Sequence, residues 1–178
     1  MTSPARRAPT VNLLSLGCPR TLVDSELYLG RLAQAGFAIV DDIAQADVAV
    51  INTCSFIQEA VQESIDTVLQ AVERKRQGKL RAVIVAGCLV QRFKGDLIKE
   101  LPEVDGFVGV DGFGDIDTIV RKALDGPPAR GARTSTPLNY LRPRPRLPHT
   151  GQPPRVALTA SHYAYLKVSE GCLKGCSF

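Results

Sequence analysis

Three times in this sequence a short, unbroken apolar run stops just before a cysteine, and a helix-like pattern follows. Residues 48–54 read Val-Ala-Val-Ile-Asn-Thr-Cys; Val11–Leu16 runs into Gly17-Cys18, and Ala82–Ala86 runs into Gly87-Cys88. Runs of this length without polar alternation suit strands covered on both faces. Strands alternating with helices imply parallel pairing in one sheet. Parallel strands align their carboxyl ends, so a thiol just past each end falls on the edge where open α/β sheets bind ligands. The recurrence therefore predicts an α/β, doubly wound sheet with three sulfurs along one rim.

The expected sheet is mainly parallel, five-stranded and flavodoxin-like: Val11–Leu16, Phe37–Val40, Val48–Asn52, Ala82–Ala86 and Gly106–Val110. A first helix follows Cys18, with Leu22, Leu29, Leu32 and Ala33 on one face and Gly36 as its stop. Asp24 and Glu26 are expected near its start, where acids suit the helix dipole. Ile57, Val61, Ile65, Val68 and Val72 mark a helix over 56–76, with Arg74, Lys75 and Arg76 in its last turn and Gly78 closing it. Val90, Phe93, Leu97 and Leu101 predict a third helix ended by Pro102; Ile116, Ile119, Val120, Ala123 and Leu124 predict a fourth, stopped by Gly126-Pro127-Pro128. The spacing leaves strand order open.

At 178 residues and 44% apolar, the chain can bury one ordinary core and at most a small second one. The net charge of +4 is unevenly placed. Residues 127–155 contain six arginines and no acid, so the remainder is mildly acidic. The expected organisation is a leader over 1–10, a domain over 11–126, a Pro/Arg-rich linker over 127–160 and a new segment over 161–178, where Tyr163–Val168 resumes a strand pattern. Eight of the twelve prolines lie in 127–155, which suits an extended tether. A solvated charged tether is the simpler reading of its arginines, and nucleic-acid contact is the alternative. Residues 1–10 lack the apolar core of a signal peptide, and no apolar run is long enough to cross a bilayer. Five cysteines, an odd number, argue against a disulfide framework. A cytoplasmic protein with reduced thiols is expected.

Thiolates are soft ligands for iron–sulfur clusters or zinc. Cys18, Cys54 and Cys88 each precede a helix, whose amino end stabilises negative charge. Gly17 and Gly87 leave room for a bulky inorganic group against the backbone. Three ligands leave one metal position open, as reactive sites do, whereas structural zinc takes four. The competing reading is three ordinary buried cysteines. His149 and His162 lie in or beyond the linker and do not supply a fourth ligand. Near the end, Cys172-Leu-Lys-Gly-Cys176-Ser-Phe178 is a CxxxC pair whose plain alternatives are a zinc hairpin or a redox pair. Gly109-Val-Asp-Gly112-Phe-Gly114 lacks phosphate-loop spacing and reads as a glycine-bearing strand-to-helix loop.

Taken together, these stretches resemble the methylthiotransferase family of radical S-adenosylmethionine enzymes. Leu16-Gly-Cys-Pro-Arg-Thr-Leu-Val-Asp-Ser-Glu26, Asn52-Thr-Cys-Ser-Phe-Ile57, Glu59-Ala60, Glu63-Ser64 and Ala86-Gly-Cys88 are similar to its amino-terminal domain. His162-Tyr-Ala-Tyr-Leu-Lys-Val-Ser-Glu-Gly-Cys172 is similar to the lead-in to its radical barrel. Pro19, Val23-Asp-Ser-Glu26 and Phe56-Ile57 resemble the RimO branch, which modifies an aspartate of the small-subunit ribosomal protein S-twelve; the Gln-Met-Asn and Val-Arg-Glu-Lys runs typical of the tRNA-modifying MiaB branch are missing here.

The resemblance implies two 4Fe–4S clusters. The auxiliary one would sit on Cys18, Cys54 and Cys88, and the radical one on Cys172, Cys176 and a third cysteine that would be the next residue. It implies S-adenosylmethionine as radical source and methyl donor, with hydrogen taken from the aspartate β-carbon, a bond that general acid–base catalysis does not reach. It leaves the sulfur donor open and implies no membrane partner. No catalytic residue is expected within this stretch, and the chain alone is expected to be inactive, since the third radical cysteine, most of the barrel and the carboxyl-terminal TRAM domain are not in it. The alternatives are a tRNA methylthiotransferase and a non-catalytic zinc or thiol-switch module.

Overall fold

The computed structural model describes residues 7–126, 137–141 and 154–168. A six-stranded, wholly parallel sheet runs in the order β2-β1-β3-β4-β5-β6. Its strands are β1 (Thr10–Ser15), β2 (Ala38–Ile39), β3 (Val48–Thr53), β4 (Ala82–Gly87), β5 (Gly106–Val108) and β6 (Leu138–Tyr140). The helices are α1 (Pro19–Gln34), α2 (Gln58–Arg76), α3 (Cys88–Glu100) and α4 (Ile116–Asp125).

The doubly wound architecture follows from alternation in strands that are apolar on both sides. In β3, Val48 and Val50 face α1 and α4, packing with Tyr28, Leu32, Ile116 and Ile119. Ala49 and Ile51 face the other way, onto Val61, Val68, Val72 and Leu89 of α2 and α3. Every residue of β3 and β4 is buried, and each fully buried Val or Ile side chain contributes roughly 1.5–3 kcal/mol.

Both long helices end as their glycines predict. Gly36 has φ 86° and Gly78 φ 73°. The amide of Gly36 donates to Ala33 and that of Phe37 to Leu32; the amides of Gly78 and Lys79 donate to Lys75 and Arg74 in the same pattern.

Several expectations shift. Asp24 and Glu26 lie beyond the first turn of α1, which holds no acid, so the dipole is not what they serve. Ala33 is exposed, while Glu26 and Gly30 are buried, because residues 154–158 lie against α1 from outside the sheet. Ile57 is the N-cap of α2 and 53% exposed rather than part of its buried stripe. Arg74, Lys75 and Arg76 do close α2, and Lys75 is in addition buried there, paired with Asp105 at 2.7 Å. In α3 the backbone breaks at Lys94 (φ 38°), and Phe93 is 38% exposed.

The sixth strand falls where a linker is expected. Leu-Asn-Tyr carries no long apolar run, so its pattern is silent. It forms because the edge of β5 offers unpaired groups: Leu138 donates to Asp105 O and Gly109 to Tyr140 O, and Lys122 reaches the Tyr140 hydroxyl at 2.9 Å. Residues 163–168 carry a strand pattern but are not a strand; among the described residues they have no strand neighbour.

Candidate metal centre

The strand order reverses between β1 and β3, so the crevice at their carboxyl ends is the switch point where open α/β sheets receive ligands. Cys18 follows β1, Cys54 follows β3 and Cys88 follows β4. Cys18 is the N-cap of α1, with Pro19 as the first helical residue, and Cys88 is the first residue of α3. Cys54 stands four positions ahead of α2. Cys54 is buried, whereas Cys18 and Cys88 are exposed.

Glycine sets how closely these loops approach. Gly17 has φ 99°, and a Cβ there would stand 2.8 Å from Cys54 Sγ, so the first loop passes directly against the second thiol. Gly87 has φ 96°, and a Cβ there would overlap Asn52 Oδ1 and stand 2.6 Å from Thr53 O. Any side chain at either position would be strained and would push the loops apart.

A buried polar network pins the loops from below. Asn52 Nδ2 donates to Thr21 O and to Ser25 Oγ, both at 3.0 Å, and Ser25 in turn donates to Ser15 Oγ at 2.8 Å. Thr53 Oγ1 donates to Ala86 O at 2.5 Å, tying β3 to β4 just before their thiols. Ser64 is fully buried on α2; it accepts the Cys54 amide at 3.2 Å and donates to Cys54 O at 3.1 Å. Arg92 Nη1 donates to Ser55 O at 2.7 Å. These polar groups satisfy one another in a place where orphaned ones would be costly. Sequence reasoning gave Ser64 no role. The available signal was its position: a hydroxyl three residues after Val61 on the core-facing stripe of an apolar helix.

The thiols differ electrostatically. Burial pushes the Cys18 thiol up, but hydrogen bonds from the Thr21 amide and hydroxyl and the Arg20 amide, with the Arg20 charge, outweigh it and hold the thiol below its ordinary value. Burial pushes the Cys88 thiol up, and the charges of Cys54, Asp24 and Cys18 push it further against the pull of Arg20. Negative charge on Cys54 and Cys18 is thus felt at Cys88, and a cation nearby would relieve it.

Cys18 Sγ rests 3.6 Å from Thr21 Oγ1. Among the described residues no group of three or more His, Cys, Asp or Glu side chains is drawn close enough together to hold a metal ion. The three thiols follow neighbouring strands along one rim but are not gathered into a ligand set. The donor chemistry, the glycine turns and the contact of Gly17 with Cys54 fit a cluster held by these residues. Cys172 and Cys176 lie outside the described residues, as does the linker around His149. Gly109 to Gly114 is the loop joining β5 to α4, with a 3-10 turn over Gly112–Asp115.

Residues 10–109 match the uncharacterized protein family UPF0004. The chain belongs to this family. The UPF0004 match begins with β1 and ends just after β5, so it contains all three rim thiols and the switch point, and leaves out β6 and residues 154–168. Curated relatives extend further. A protein named ribosomal protein uS12 methylthiotransferase RimO from Anaeromyxobacter sp. (strain K) is 42% identical over 171 residues, 96% of this chain and 34% of its own length. Relatives with the same name from Pelotomaculum thermopropionicum and Solibacter usitatus are 43% and 44% identical over 168 residues, covering 36% and 33% of their own lengths. The chain spans about a third of the length of these relatives. No helix among the described residues is long and apolar enough to cross a membrane.

Proposed function

We propose that this chain is the auxiliary-cluster domain of an enzyme that methylthiolates the β-carbon of an aspartate on the ribosomal protein uS12. The observation that carries the reading is the placement of Cys18, Cys54 and Cys88 after three neighbouring strands around one switch point. The names of relatives more than 40% identical over nearly the whole chain support the substrate assignment. The implied cofactors are two 4Fe–4S clusters and S-adenosylmethionine, and the implied compartment is the cytoplasm.

In this reading Cys18, Cys54 and Cys88 hold the auxiliary cluster, and Cys172 and Cys176 contribute to the radical one. When bound, the auxiliary cluster supplies sulfur, or a methylthio group, at an iron without a protein ligand. The residues of this chain provide the setting. Gly17 and Gly87 let the backbone come close, Asn52 and Thr53 fix the spacing of the loops, and Ser64 fixes the main chain of Cys54. Phe56, 89% exposed, and Ile57, 53% exposed, stand beside Cys54 as apolar surface at the rim.

The test is an assay of the enzyme of full relative length, iron-loaded under anaerobic conditions, on uS12 and on tRNA. Methylthiolated aspartate on uS12 with unmodified tRNA is expected. Modification of tRNA alone would assign the chain to the tRNA branch. Zinc without iron, and no transfer to either substrate, would make it a binding module.

A further inference from the structure

The Val23-Asp-Ser-Glu26 stretch of α1 does more than pack. Glu26 is completely buried. Its carboxylate accepts the Leu158 amide at 2.8 Å and the Arg155 Nε at 2.5 Å, and its main-chain carbonyl accepts the Val156 amide at 3.1 Å. Arg155 also donates from Nη2 to Tyr165 O at 2.9 Å, so one guanidinium braces both limbs of the 154–168 segment. The far limb is caught by Asp24, which pairs with Lys167 at 2.6 Å; the Lys167 side chain is 9% exposed. Gly30, one turn beyond Glu26, completes the seat. A Cβ there would overlap the Pro154 carbonyl and stand 2.7 Å from the Arg155 nitrogen. Glycine inside a helix is less favourable than alanine, and here it lets another backbone pass.

We infer that Asp24, Glu26 and Gly30 form a seat that positions the chain leading to Cys172 against the thiol rim. This rests on the proposed role of Cys172 and Cys176. Two features favour positioning over simple anchoring. First, the Glu26 carboxylate is fully buried while Arg155 keeps part of its side chain in solvent, so losing the guanidinium would strand a buried charge, and the pair favours a single arrangement. Second, the seat belongs to the helix that starts at the rim: Asp24, Glu26 and Gly30 all lie on α1, whose N-cap is Cys18. Cys172 follows Lys167 by only five residues, a reach of about 18 Å at full extension. The seat therefore bounds the separation of the two cysteine groups.

Gly30→Ala in the iron-loaded enzyme of full relative length tests the inference. The substitution favours the helix and displaces the segment. The Leu158 amide is expected to exchange at least about tenfold faster, the effect of losing a hydrogen bond to a charged group, and the Val156 amide, which donates to a neutral carbonyl, at least about twofold faster. The iron content of the rim is expected to stay unchanged. Cleavage of S-adenosylmethionine is expected to continue while methylthio transfer per cleavage falls. Glu26→Gln, which keeps an acceptor for Leu158 and loses the charge facing Arg155, is expected to shift the same ratio less.

Unchanged exchange in both variants would overturn the seat itself. Faster exchange with an unchanged ratio of transfer to cleavage would leave the seat a structural anchor and overturn the positioning role. A wild-type enzyme that neither cleaves S-adenosylmethionine nor modifies uS12 would overturn the functional reading and the positioning role with it, and exchange would still decide whether the seat holds the segment.

Discussion

The same three strands, β1, β3 and β4, begin and end in opposite ways. At their amino ends Asp47 closes the sheet on itself. Its carboxylate accepts the Thr10 amide at 2.8 Å and the Thr10 hydroxyl at 3.0 Å, its amide donates to Thr10, and its carbonyl accepts the Arg81 amide at 2.8 Å. Arg7 adds an exposed ion pair at 3.4 Å. At the carboxyl ends Asn52 plays the corresponding knitting role, binding Thr21 and Ser25. There, however, the chain turns on left-handed glycines and carries thiols to the rim. One end uses its polar groups to complete the fold, and the other uses them to hold three thiol-bearing loops in place. Under the proposed function, stability and chemistry are thus separated along single strands a few residues long.

The contrast predicts the largest mutational effect at the rim's tightest turn. Gly87→Ala must accept a φ of 96° and overlap with Asn52. A loss of about 3 kcal/mol is expected from backbone strain and displacement of the neighbouring strand end, read by urea unfolding, together with reduced iron uptake. Wild-type stability in that variant would mean that close packing does not define the rim. Asn52→Ala comes next. It removes two buried hydrogen bonds, for an expected loss of about 2 kcal/mol; amide exchange should quicken around Cys18 and Cys54 before it does around Thr10. Uniform quickening at both ends would erase the distinction between them.

The smallest effect is at the amino ends and depends on pH. Burial pushes the Asp47 carboxyl up, but the Thr10 amide and hydroxyl, with Arg7 and Arg81, outweigh it and hold the group below the ordinary aspartate value. A carboxyl depressed in the folded state adds stability that is present above its unfolded value and lost as pH falls through its folded value. Stability should therefore drop in acid below about pH 4, and Asp47→Asn should flatten that drop. An equally steep acid limb in the variant would place the titrating group elsewhere.

Much of this was legible because the signals were local. Apolar runs of strand length, helical spacing in α2 and the glycines after α1 and α2 each act within a few residues, and the thiols at strand ends needed only parallel pairing to share an edge. What stayed hidden depends on partners distant in sequence. Glu26 reads as an acid suited to the helix dipole until residues 155–158 arrive to bury it. Leu138–Tyr140 reads as linker until the edge of β5 offers it hydrogen bonds. Strand order is likewise a property of the assembled sheet. The Lys94 break that exposes Phe93 carries no signal in the spacing of α3.

The central claim is that Cys18, Cys54 and Cys88 jointly grip one inorganic guest. Iron and sulfide analysis of anaerobically reconstituted protein carrying Cys172→Ala and Cys176→Ala tests it with the other thiols removed. About four irons with matching sulfide are expected per chain, with near-complete loss on adding Cys54→Ala. Full iron retention after that third substitution, or zinc alone in the starting protein, would contradict the claim.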